Sequence, residues 1–186
     1  MKKTRLLIVF SMVLACALNV IAKSKEEKQA EARKKAEGTL ARLYKAKPSA
    51  QAAIKQAAGY AVFNSAGVKI LVAGGGKGQG IAVDNRTQKV TYMRMREVQA
   101  GLGMGVKKFS TIFVFETKAA LEKFVNSGWE FGGQTTAAAK SGDGGGALQG
   151  AASVSEGVWM YQLTDKGLAL ELTGKGTKYF KDDDLN

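Results

Sequence analysis

Histidine is absent from the 186-residue chain, and cysteine and proline each occur once, as Cys16 and Pro48. Without histidine there is no Ser-His-Asp triad, no cysteine–histidine pair and no zinc site of the Cys/His kind. A lone cysteine leaves the rest of the chain without a disulfide. No D-x-D-x-D-G loop occurs, so the sequence offers no calcium loop. Acidic residues are also scarce, 16 against 28 Lys and Arg, for a formal charge of +12. Glycine is plentiful at 23 residues. These glycines sit among apolar residues, which argues against a disordered linker.

The segment "MKKTRLLIVFSMVLACALNVIAKS" opens with a basic stretch, Lys2, Lys3 and Arg5, followed by an apolar run from Leu6 to Ala17. This is the pattern of an export signal, with residues 1–22 removed after Ala22. An alternative uses "VLAC", a lipobox-like match that makes Cys16 a lipidation site. Both readings export the chain to the periplasm or envelope, the second as an outer-membrane lipoprotein. Removing 1–22 takes away three basic residues and leaves a charge of +9. A basic envelope protein has anionic lipid headgroups and acidic polymers as neighbours. Nucleic acid is not expected as a partner.

Residues 23–47 read as a basic N-terminal helix. Ser24 and Glu27 form a capping box, and Glu31 stands four before Lys35. A second short helix, about residues 50–57, follows Pro48 with Ser49 as its cap. From Gly59 the pattern turns to strands. "YAVFN" is one, residues 68–83 form a long extended run, and Asp84–Thr87 is a turn after which "QKVTYMRM" pairs back. "VQAGLGMGV" and "STIFVFE" read as a strand pair joined at Lys107–Lys108. Thr117 caps a helix that Gly128 ends. "WEFGGQTT" is a strand, "KSGDGGG" a loop, and "GVWMYQLT" with "GLALELTG" a last hairpin. "KDDDLN" reads as a solvated tail, giving a β-rich domain over 48–181 and an acidic tail over 182–186. The expected fold is α+β: a Gly-rich, strongly curved antiparallel sheet or barrel-like core with N-terminal helices and one inserted helix.

The stretch "LVAGGGKGQGIAV" resembles a phosphate loop only at first sight. Leu71 stands where a Walker loop needs its first Gly, and Gly78 where it needs Ser or Thr. The dinucleotide spacing fails at Gln79 or Ile81. A strand, not a helix, follows, so no helix N-terminus faces a phosphate. No nucleotide and no cofactor is expected. Gly74, Gly76, Gly78 and Gly80 are instead two apart, as are Gly101, Gly103 and Gly105. On a strand each set lies on one face and leaves it bare, which permits close backbone approach or sharp bending.

The ordered set "AAGYAVFNSAGVKILVAGGGKGQGIAV", "AGLGMGVKKFSTIFVF", "ALEKFVNSGWEFGGQTTAAA" and "WMYQLTDKGLALELTGKG" resembles the SYLF lipid-binding domain, over roughly residues 35–178. The resemblance implies a non-enzymatic module that binds anionic lipids, phosphoinositides among them. In eukaryotic relatives a basic amphipathic N-terminal helix contributes, and some relatives bind actin, which is not expected in a bacterial envelope. The chain departs from the family at Asn64, at "TYMRMR" and at "KSGDGGG", changes that bear on lipid specificity more than on fold.

Residues 23–47 hold nine Lys or Arg and four Glu. Lys28, Lys34, Lys35, Arg42 and Lys45 are the candidates for headgroup contact, with Leu40, Leu43 and Tyr44 for shallow insertion. The alternative is a solvated helix whose Leu and Tyr pack on the sheet. Lys107 and Lys108, with Arg94 and Arg96, extend a basic patch or keep a sheet edge soluble. Trp129 and Trp159 read as core or edge aromatics. Glu97, Glu116 and Glu130 are dispersed, so acid/base chemistry has no support. The expected partner is an anionic phospholipid or membrane surface; the runner-up is an acidic envelope protein.

Overall fold

The computed structural model describes residues 23–70, 73–100, 105–131, 148–168 and 175–186. The expected leader with Cys16 lies outside them. So do Gly101 and Gly103, the "KSGDGGG" loop, and most of the expected strands "WEFGGQTT" and "GLALELTG".

Helix α1 runs Lys25–Ala46 and begins at the expected capping box, in which Ser24 accepts from the Glu27 amide and Glu27 from the Ser24 amide. Its buried stripe is Ala32, Ala36, Thr39 and Leu43, at helical spacing. Helix α2, Ser49–Gln56, starts one residue earlier than expected: Pro48 occupies the cap, and Ser49 makes no capping bond. Helix α3, Lys118–Ser127, is capped by Thr117 and ended by Gly128, whose φ of 68° is the left-handed region glycine favours.

The strands are β1 (Gly59–Ile70), β2 (Ala73–Asp84), β3 (Val90–Ala100), β4 (Gly105–Phe115), β5 (Trp129–Phe131), β6 (Ala152–Ser155), β7 (Val158–Thr164), β8 (Gly167–Leu168) and β9 (Lys175–Lys181). All pair antiparallel in the order β5-β9-β3-β2-β1-β4-β7-β6, with β8 beside β7. Side chains alternate between two cores. One lies under α1 and α2 and contains Leu43, Ile54, Val62, Ile81, Ile112 and Leu163. The other, on the opposite sheet face, is aromatic and is closed by Leu121 and Phe124 of α3.

The aromatic core measures the curl. Strands β4 and β9 are separated by β1, β2 and β3. In a flat sheet they would stand about 19 Å apart at about 4.8 Å per strand. Yet the rings of Phe113 on β4 and Tyr179 on β9 have centroids 5.1 Å apart, and Phe63 lies 4.7 Å from Tyr179. The sheet is therefore a half-barrel closed round its aromatic face. Strand β2 crosses the middle of that face with glycines. A Cβ on Gly80 would fall 2.3 Å from the Val62 carbonyl oxygen and 2.5 Å from the Phe63 ring, and one on Gly78 would fall 2.5 Å from Ser65 Oγ. The bare strand face expected from the two-residue spacing exists on β2, and its use is close approach.

Several expectations need correction. The extended run 68–83 is two strands of one hairpin, since Val68 already pairs with Gly75. Lys107 and Lys108 are not at a turn but inside β4, opposite Gly67 and Ala66 of β1. Strand β9, which the sequence pattern does not announce, joins β5 to β3. The "KDDDLN" segment is docked rather than solvated. Asp182 is 1% exposed and Leu185 4% exposed in the core beneath α1. The Asn186 side chain accepts from the Tyr92 amide at 2.9 Å and donates to the Tyr92 carbonyl at 2.8 Å, completing the edge of β3. One apolar residue and one amide that matches a strand's donor and acceptor outweigh three acidic residues.

Gly80→Ala is expected to destabilise the fold by about 1–3 kcal/mol or more in denaturant melts. Gly38→Ala, in exposed helix with nothing within 4 Å, is expected to stabilise it by about 0.5–1 kcal/mol. Equal effects would mean the sheet does not need the bare face. Leu185→Ala is expected to cost about 2–4 kcal/mol; a midpoint unchanged from wild type would return the segment to solvent.

Candidate functional site

On the face that carries α1, the unbroken registers stack side chains into rows. The row under the helix is apolar: Ile112, Val62, Ile81 and Tyr92. The next outward is polar: Ser110, Asn64, Gln79 and Arg94. Asn64 ties three elements together, accepting from Thr39 of α1 and from Ser110 of β4, both at 2.8 Å. The third row is basic: Lys108, Ala66, Lys77, Arg96 and, on β9, Lys178.

Between these rows and the flank of α1 lies an open cleft of about 1070 Å³. Lys35 and Arg42 line it from the helix, and Lys77, Arg94, Arg96 and Lys108 from the sheet. The cations differ in how far they are engaged. Arg94 is paired with Asp182 at 2.8 Å and with Asp184. Lys35 meets Glu31 at 2.7 Å, and Arg42 donates to the Thr164 carbonyl at 2.8 Å. Hydrogen bonds from Lys23 and Lys35 hold the Glu31 carboxyl down at about 2, so it stays charged at every ordinary pH. Lys178 pairs with Glu130 at 2.9 Å. Lys77, Arg96 and Lys108 have no carboxylate partner among the described residues. A second cavity, about 460 Å³ beside α3, is lined among the described residues by one basic side chain, Lys123, and one acidic one, Glu156.

The structure thus gathers Lys35, Arg42 and Lys108 of the candidates and sets Lys28, Lys34, Lys45, Leu40, Leu43 and Tyr44 apart from the cleft. Lys34 and Lys45 are exposed on the side of α1 turned away from its buried stripe. Lys28 is exposed outside the cleft lining. The Lys107 side chain lies outside the described residues. Leu43 is wholly buried, and Leu40 and Tyr44 pack against the same core. These three fill the helix–sheet interface, so inserting them into a membrane would require α1 to leave the sheet.

Sequence alone does not single out Lys77 as a site residue, because its glycine neighbours resemble a phosphate loop. The signal was present: Lys77 and Gln79 alternate with the bare glycines and so face the opposite side. Folding "GKGQG" back on "RMR" about the 84–87 turn aligns Lys77 with Arg96. Trp129 and Trp159 are partly buried against the two cores, as expected of core or edge aromatics. No group of three or more His, Cys, Asp or Glu side chains among the described residues could hold a metal ion.

A protein-family model described as "Ysc84: Las17-binding protein actin regulator" matches residues 96–186, which includes Arg96, Lys108 and the docked C-terminal segment. "Beta cell expansion factor A" of Aeromonas veronii is 35% identical over 150 residues, covering 81% of this chain. The chain spans 56% of the length of that relative. Over residues 96–186 the chain is thus similar to the SYLF (Ysc84) family, a family of binding domains rather than of enzymes.

Proposed function

We propose that the protein is a non-enzymatic module that binds anionic lipid surfaces through the cleft face of its sheet. The observation that carries this reading is the row Lys108–Lys77–Arg96, three cations without a carboxylate partner among the described residues, beside Lys35 and Arg42. Each basic group near an anionic membrane contributes about 1 kcal/mol, so this set supplies a few kcal/mol without any reacting group. No helix among the described residues is long and apolar enough to cross a membrane, and surface attachment needs none. The family's description as a binding protein is in keeping with this role. On the same reading the chain is exported, with its basic, then apolar, first 22 residues as the leader or lipid anchor, and meets its lipids in the envelope.

The basic helix keeps a part in this mechanism, but a narrower one than its composition suggests. Lys35 and Arg42 face the cleft, whereas Lys34 and Lys45 add only to the long-range field. The alternative reading, an acidic protein partner on the same face, draws on the word "binding" in the family's description, which names a protein target.

The test is co-sedimentation with vesicles of phosphatidylcholine alone and with phosphatidylglycerol added, across a salt series. Wild type is expected to bind the anionic vesicles only and to release them as salt rises. Lys77→Gln/Arg96→Gln/Lys108→Gln is expected to bind about 100-fold more weakly, from about 1 kcal/mol per charge. Lys34→Gln/Lys45→Gln should change affinity by less than about threefold. Absence of vesicle binding at low salt would transfer the face to an acidic protein partner.

A further inference from the structure

One more row lies beyond the basic one on the same sheet face. Val68 on β1 pairs with Gly75 on β2, and Gly75 with Val98 on β3. Three large apolar side chains are well exposed among the described residues: Val68 at 49%, Val98 at 70% and Leu168 at 38%. Two of the three share this row. Successive rows on one strand face are about 7 Å apart. Val98 therefore stands about 7 Å past Arg96, toward the distal end of the sheet.

The order matters. Going outward, the face changes from apolar core to polar row, to basic row, to exposed valine. A face that met only water or a soluble anion would have no use for apolar side chains outside its charges. A bilayer surface has this order in reverse, with acyl chains beneath phosphates. Interfacial elements bury their apolar side about 5–10 Å below the headgroups, which matches the spacing of one row.

We propose that the distal end of β1–β3 penetrates an anionic bilayer, with Val68 and Val98 below the phosphates and Lys77, Arg96 and Lys108 level with them. This rests on the lipid-binding reading and adds an orientation to it. The sheet meets the membrane end-on, and α1 stands beside the contact rather than lying flat in it. The charge row selects the anionic surface; the valine row gives an attachment that salt does not screen.

The test places a tryptophan at Val98 in the full chain, and in a second variant at Arg86, which is exposed in the β2–β3 turn at the other end of these strands. Emission of each variant, less that of the wild type, is followed as vesicles containing phosphatidylglycerol are added. The Val98→Trp signal is expected to shift blue and to be quenched by lipids brominated on their acyl chains; the Arg86→Trp signal should do neither. A Val68→Ser/Val98→Ser variant, altered only at exposed positions, should bind at low salt and lose its salt-resistant fraction. If Val98→Trp sediments with anionic vesicles while its tryptophan remains in water, the penetration proposal is overturned and the lipid-binding reading stands. If neither variant nor wild type sediments with them, the reading beneath it falls. A Val98→Trp signal already blue-shifted without vesicles, with a mass that grows with concentration, would assign the row to a second copy and overturn the proposal.

Discussion

The rest of the structure depends on one steric condition: β2 must cross the aromatic core with no side chain at Gly78 and Gly80 and only the methyl of Ala82 beyond them. Phe63, Phe113, Phe124 and Tyr179 meet in a single cluster although Tyr179 lies on β9, three strands from β1 and four from β4, and Phe124 on α3. Such rings bury large apolar areas and prefer edge-on or tilted contacts, which the cluster supplies. They can meet only if the sheet closes, and it closes because Gly78 and Gly80 leave room for Ser65, Phe63 and the backbone of β1. Burial pushes the Tyr179 hydroxyl well above the ordinary tyrosine pKa, so it stays neutral inside this cluster.

Closing one face opens the other. A helix on the outside of a curled sheet cannot cover the whole face, and α1 covers the near rows only. Its small residues Ala32 and Ala36 allow close packing, and Thr39 reaches Asn64, which Ser110 also holds. The C-terminal segment clamps the start of the helix: Gln29 donates to the Leu185 carbonyl and Lys25 to that of Asn186. Further out, the strands run on uncovered. There the two-residue alternation that makes one side of β2 bare puts Lys77 on the other side, next to Arg96 and Lys108 on neighbouring strands. The same glycine repeat that resembles a phosphate loop thus has its consequence through the sheet and not through a backbone cradle.

Much of the fold was legible because its signals are local. Ser24 with Glu27, Thr117, Gly128 and the 84–87 turn each mark an element end through contacts within a few residues. The strand character and the bare face of β2 follow from spacing alone. What could not be read depends on long-range pairing. Nothing in "KGTKYFK" announces a strand until β3 and β5 are beside it. The three aspartates near the end look like a solvated tail until Arg94 and the free edge at Tyr92 receive them. The site divides in the same way. Lys35, Arg42 and Lys108 were visible as charge, but only the register joins them to Lys77 and Arg96. Composition also favoured Leu40, Leu43 and Tyr44 as insertion residues, because sequence does not say which side of a short apolar stripe the sheet will occupy.

Hydrogen–deuterium exchange with and without anionic vesicles tests the central claim most directly. The account predicts protection in peptides covering 64–68, 75–79, 94–98 and 108–110 and along the cleft side of α1 around Lys35–Arg42, with α3 and the 84–89 turn unchanged. Protection concentrated at α3 and Trp129, or along the outer side of α1 at Lys34 and Lys45 with the strands unaffected, would contradict it.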